Sequence, residues 1–121
     1  MKIGMIGMGF VGGTTARVLQ KAHEIFSYDR YKAPYNTKQS IEDLAINSEV
    51  VFVCVPTPMQ LSGEIDYEPM HNSLNLLSET ARNFGRQTKD ILVTVRSTAV
   101  SGTTDSFAEK YSFFKFAFNP E

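Results

Sequence analysis

Cysteine is almost missing from this sequence, Cys54 being the only one in 121 residues. An internal disulfide is excluded, and no Cys/His cluster stands at metal-ligand spacing, so no metal site is expected and a reducing compartment, the cytoplasm, is. A charge excess is missing too. With 12 basic and 13 acidic residues the formal net charge is -1, so no overall field draws nucleic acid or an anionic membrane. No apolar run approaches the roughly 20 residues that a membrane-spanning helix needs. The apolar N-terminus does not read as a signal peptide, because glycines at 4, 7, 9, 12 and 13 break it and only Lys2 precedes them as a base. Repeats and low-complexity tracts are absent. What remains is a chain with 42% hydrophobic residues, enough for one compact domain over residues 1–121 with a real core.

The most informative stretch is KIGMIGMGFVG at residues 2–12. Ile3, Met5 and Ile6 make a buried strand that breaks into Gly7-Met8-Gly9-Phe10-Val11-Gly12, and residues 14–22 carry Ala16, Val18, Leu19 and Ala22 at helical spacing. In a strand-turn-helix unit of this kind Gly7 permits the tight turn, Gly9 lets the backbone approach a diphosphate, and Gly12 lets helix and strand pack closely. The phosphates would meet free N–H groups at the positive end of the helix. A second strand, Glu24–Tyr28, ends in Asp29, which follows Gly12 at close to the roughly 20 residues expected of an acid that reaches the adenosine ribose. Arg30 beside it suits a 2'-phosphate, but the carboxylate repels one, so NAD is favoured over NADP.

Further along, residues 30–40 read as a polar loop with Pro34. Ser40 reads as an N-cap, with Asp43 three residues on, for a short helix through Asn47 that buries Ile41, Leu44 and Ala45. Residues 50–55 (VVFVCV) form an apolar run of the kind buried on both faces of a parallel sheet, stopped by Pro56-Thr57-Pro58. Residues 59–66 connect it to a long helix over 67–84 with Met70, Leu74, Leu77 and Ala81 as its core stripe, capped by Gly85. Lys89 and Asp90 make a solvated turn. A strand over 91–95, a turn over 96–101, a short helix over 102–110 and a strand over 113–118 follow, before Asn119-Pro120-Glu121. His23 and His71 read as solvated helix-surface residues, and the methionines as core filler.

Strands alternating with helices predict an α/β fold, a doubly wound parallel sheet of Rossmann type, with five strands in the order 3-2-1-4-5 and helices on both faces. Ligands bind beyond the carboxyl ends of such strands. Each unusual motif falls at one of those ends: the glycine turn, Asp29, Pro56-Thr57-Pro58, Ser97-Thr98 and Asn119-Pro120-Glu121.

Together GMGFVG, VFVCVPTP, RSTAVSGTT and FNPE resemble the N-terminal NAD-binding domain of the UDP-glucose/GDP-mannose dehydrogenase family. The resemblance implies oxidation of a nucleotide sugar's C6 alcohol to a carboxylate with two NAD+, through a thiohemiacetal on a cysteine. It implies cofactor contacts from Gly7, Gly9, Phe10, Val11, Gly12 and Asp29, beside which Arg30 is also expected at the cofactor, from Val55, Pro56, Thr57 and Pro58, and on the nicotinamide side from Ser97, Thr98 and Ala99. It also implies that Thr98 positions a catalytic water and that Glu121 acts as a base. The nucleophilic cysteine belongs to parts of the family fold beyond this chain. Cys54, mid-strand in apolar surroundings that disfavour a thiolate, does not replace it. The segment between Asp29 and Val50 is also shorter than is usual in the family.

Other readings stand beside this one. The glycine turn also suits a scaffold that binds nothing, Asp29 a surface position, and Thr98 a local cap. A non-catalytic module that docks a partner through its phenylalanine-rich last strand is the rival function, and the β-hydroxyacid dehydrogenase group shares the glycine turn but not Pro56-Thr57-Pro58 or Asn119-Pro120-Glu121. The partners expected are a nucleotide-sugar substrate or a separate substrate domain. Phe114, Phe116 and Phe118 project to one side of a final edge strand and Phe113 to the other, which also predicts a homo-oligomer through strand five or through its aromatic face.

Overall fold

The computed structural model describes residues 1–55, 68–95, 110–111 and 114–118, apart from the side chains of Phe10, Val11, Thr88 and Phe118. Strands β1 (Lys2–Ile6), β2 (Glu24–Tyr28), β3 (Val50–Val53), β4 (Leu92–Val95) and β5 (Lys115–Phe118) form one sheet, with helices α1 (Phe10–Leu19), α2 (Lys38–Asn47) and α3 (Glu68–Asn83) between them. Every pairing is parallel. The expected α/β class holds.

The strand order does not. It is β2-β1-β3-β4-β5, not 3-2-1-4-5. Between β2 and β3 the short segment builds a helix, α2, and no strand, and α2 delivers β3 to the far side of β1. Burial explains the placement. Val51 and Val53 are 0% exposed, and a strand so apolar is satisfied between two neighbours with cover, not at an edge beyond β2.

The register fixes the two faces. Gly4, Val51, Val93 and Phe116 lie side by side across the sheet, and Ile6, Val53 and Val95 repeat the row two residues on. Leu44 and Ala45 from α2, and Met70, Leu74, Leu77 and Ala81 from α3, join the core on this face. Met5 points the other way and packs with Met8 and Ala16, which places α1 on the opposite face. Each fully buried Leu or Val contributes about 1.5–3 kcal/mol relative to an exposed one.

Local differences have local causes. Helix α1 opens at Phe10, not at residue 14, because Gly9 serves as its cap and its carbonyl takes the Gly13 N–H at 2.8 Å. The face turned to the sheet carries Gly12, Ala16 and Leu19, so Val18 is left 61% exposed, and Ala22 falls past the helix end. Thr37, not Ser40, caps α2. Its backbone is extended and its Oγ1 accepts the Ser40 N–H at 3.1 Å, so Ser40 stands inside the helix. Strand β3 stops at Val53, short of residue 55, and β4 and β5 begin one and two residues later than expected, at Leu92 and Lys115. The expected cap Gly85 ends α3 at φ 74°, with Gly85 N–H bonded to Arg82 and Arg86 N–H to the Ala81 carbonyl. That pair of bonds satisfies carbonyls the helix end leaves free. The expected turn at 96–101, helix over 102–110 and Phe113 lie outside the described residues but for Lys110.

Candidate cofactor site

Three strand ends meet at the switch point between β1 and β3, where the connections leave to opposite faces. Gly7 N–H donates to the Tyr28 carbonyl at 2.8 Å, and Cys54 N–H to the Ile6 carbonyl at 2.8 Å. Gly7 turns the chain at φ 94°, where a side chain would be strained and would also meet the Cys54 carbonyl oxygen at 2.6 Å. A Cβ on Gly12 would overlap the carbonyl oxygen of Gly7, so the first turn of α1 rests directly on the strand end. Gly9 differs. A Cβ there would find nothing within 4 Å among the described residues, so none of them imposes a steric demand that keeps the position bare, and that side lies at the N-terminus of α1.

Asp29 stands against this turn. Its Oδ2 accepts the Met8 N–H at 2.7 Å and its Oδ1 the Tyr31 N–H at 2.9 Å. Each carboxylate oxygen has a further lone pair for a ligand hydroxyl. Lys32 Nζ donates to the Met8 carbonyl at 3.0 Å. From here a cleft of about 670 Å³ opens, walled by Tyr28, Asp29, Arg30 and Tyr31 on one side, by Pro69, Asn72, Ser73 and Leu76 of α3 on the other, with Ile6, Gly7 and Val55 at its base. Its volume is that of a small-molecule site. The Arg30 guanidinium lies 5.5 Å from the centre of the Tyr31 ring.

Of the residues singled out from sequence, Gly7, Asp29, Arg30 and Val55 line this cleft; Gly12 packs on Gly7 beside it, Gly9 caps α1, and the backbone of Phe10 and Val11 opens that helix. Pro56, Thr57, Pro58, Ser97, Thr98 and Glu121 lie outside the described residues. Sequence reasoning missed Lys32 and the α3 wall. Asn72, Ser73 and Leu76 lie off the Met70, Leu74, Leu77 stripe, and that offset is the signal that they face something else.

His71 is not the solvated residue expected. Its Nδ1 lies 2.9 Å from the Tyr111 hydroxyl, with the rings 5.9 Å apart. Burial, and then the charge of Lys110, hold its pKa below the usual value. Burial raises that of Tyr111, opposed by a hydrogen bond with Asn75. His23 is half-buried, and its Nδ1 has no hydrogen-bond partner among the described residues. Cys54 sits just past β3 with its sulfur 3.9 Å from that of Met5. Among the described residues no group of His, Cys, Asp or Glu could hold a metal ion, and no helix is long and apolar enough to cross a membrane.

A parallel sheet with a glycine turn at its switch point and an acid at the end of the neighbouring strand defines a dinucleotide-binding α/β domain. The chain belongs to the UDP-glucose/GDP-mannose dehydrogenase family: residues 23–121 match its NAD binding domain, and NAD is the cofactor of that class of domain. The glycine turn precedes the matched span. In fold the chain is similar to GDP-mannose dehydrogenase from Pseudomonas aeruginosa, solved as a ternary complex, with a TM-score of 0.76 at 22% identity over 100% of this chain and 36% of that one. It is also similar to UDP-glucose dehydrogenase from the archaeon Pyrobaculum islandicum, with a TM-score of 0.72 at 22% identity over 99% of this chain and 35% of that one. The chain therefore spans about a third of the length of these proteins. No curated protein matches it.

Proposed function

We propose that this chain is the cofactor-binding part of a nucleotide-sugar dehydrogenase and holds NAD in the cleft between β1, β2 and α3. The observation that carries the reading is the acid Asp29 held against the glycine turn by the Met8 N–H at 2.7 Å, next to the N-cap Gly9 of α1. The N–H groups of Gly9, Phe10, Val11 and Gly12 receive the diphosphate, and Asp29 bonds the adenosine ribose. Arg30, Tyr31 and Val55 enclose the adenosine end, while Pro56, Thr57, Pro58, Ser97 and Thr98 line the cofactor toward the nicotinamide. NAD bound there supplies a hydride acceptor for an alcohol carbon. Family resemblance assigns Thr98 to a water and Glu121 to a base, and leaves the nucleophilic cysteine to a substrate domain. UDP-glucose and GDP-mannose, for which the similar enzymes are named, are the substrates to try, and the cytoplasm is the proposed setting.

Thermal unfolding with added NAD+ tests the reading. Saturation at a hundred times the dissociation constant stabilises by about 2.7 kcal/mol, and an unmoved transition at millimolar NAD+ would sink it. Reduction of NAD+ with each sugar nucleotide, alone and beside a companion substrate domain, then tests the chemistry.

Self-association through β5 belongs to the same proposal. Among the described residues β5 pairs with β4 alone. Phe114 is buried and Phe116 packs edge-on against it at 6.2 Å and against the core, which favours the main-chain edge over the aromatic face as the contact. Light scattering at high concentration checks this, and a strictly monomeric mass counts against it.

A further inference from the structure

Met8, in the middle of the glycine turn, is gripped on both of its peptide groups by the loop after β2. Asp29 takes its N–H at 2.7 Å and Lys32 donates to its carbonyl at 3.0 Å. Each charge meets the end of the peptide dipole it suits, which makes both bonds stronger than neutral ones. The Met8 side chain is itself anchored, 7% exposed among Met5 and Ala16.

The peptide joining Met8 to Gly9 is planar and trans, so its C=O and N–H point in opposite directions. With the carbonyl turned to Lys32, the Gly9 N–H is directed away from it, and no acceptor among the described residues takes that hydrogen. A flip of this peptide would exchange the two groups and present an oxygen, which repels phosphate, where the N–H now stands. Asp29 does not prevent the flip, because the N–H it holds belongs to the preceding peptide.

We propose that Lys32 is a positioning residue for the cofactor's diphosphate, fixing the Met8–Gly9 peptide so that the Gly9 N–H faces the phosphates. The inference rests on the cofactor cleft proposed above and adds to it a residue three positions beyond the ribose acid. Lys32 is exposed, so its replacement spares the core.

The test compares wild type, Lys32→Met and Lys32→Arg by NMR titration with adenosine, which has no phosphate, and with ADP, which carries the diphosphate. Loss of one charge-assisted bond predicts about a tenfold loss of ADP affinity in the Met variant, adenosine affinity within about twofold, and recovery in the Arg variant. A merely structural role would weaken both ligands together. Unchanged ADP affinity in Lys32→Met, or equal losses for the two ligands, overturns the inference and leaves the cofactor cleft standing. A wild-type chain that binds neither ADP nor NAD+ overturns the cleft and this inference with it.

Discussion

Gly12 stands so close to the carbonyl oxygen of Gly7 that a single methyl group would overlap it, while at Gly9, three residues earlier, a methyl group would meet none of the described residues. Two glycines of one motif therefore answer to different constraints, and substitution separates them. Gly12→Ala forces the first turn of α1 off the end of β1 and is expected to cost about 3 kcal/mol or more, the upper range of overpacking. Gly9→Ala leaves stability within about 1 kcal/mol, as expected for an N-cap change, yet removes NAD+ binding by filling the approach to the diphosphate. Urea unfolding and calorimetry on both variants check the contrast; a Gly9→Ala chain that binds NAD+ like wild type refutes it.

Asp29 is expected to serve fold and ligand together. Asp29→Ala leaves the Met8 and Tyr31 amides without their acceptor and is predicted to destabilise by about 1–3 kcal/mol. Asp29→Asn keeps one oxygen, so it recovers part of that stability, but its NH2 group cannot accept a ribose hydroxyl as the second oxygen does. NAD+ affinity falls in both variants while stability falls mainly in the first. Equal stabilities in denaturant would contradict the pairing with Met8.

Much of this was legible in the sequence because the signals were local. The glycines, the acid after β2 and the apolar run of β3 each report a backbone need of their own immediate neighbourhood. Strand order was not legible in that way. It depends on where α2 carries the chain, and the apolar character of Val51 and Val53 says that β3 is enclosed without saying by which strands. The same limit hid the His71–Tyr111 contact, formed by residues 40 positions apart, and the Lys32–Met8 bond, which exists only once β1 and β2 lie side by side. The N-cap of α2 was missed for a smaller reason: Thr37 and Ser40 are both competent caps, and the backbone conformation at Thr37 decided between them.

That choice is testable. Thr37→Ala removes the acceptor for the Ser40 N–H and is expected to cost about 1 kcal/mol, whereas Ser40→Ala leaves that N–H bonded to Thr37 and costs less. Because α2 sets the crossover that places β3, the loss should appear in global unfolding by circular dichroism and not as fraying of one helix. A larger effect from Ser40→Ala would return the cap to Ser40.

The part-buried hydrogen bond between His71 and Tyr111 predicts a dependence of stability on pH with a definite sign. Unfolded His71 titrates near its ordinary value of about 6.5, and in the folded chain burial and Lys110 hold it lower. Between the two values the unfolded chain binds a proton that the folded chain refuses, so stability rises with pH across that window. The contribution is complete above about pH 6.5 and is lost as the pH falls through the folded value. Urea midpoints measured from pH 7.5 to 5 should fall more steeply for wild type than for His71→Gln, which has no proton to gain there. Tyr111→Phe keeps the ring in the core but removes the hydroxyl, and is expected to cost about 1 kcal/mol near neutral pH. If wild type and His71→Gln lose stability in parallel toward acid, the shift belongs to other groups and the contact is not sensed by folding.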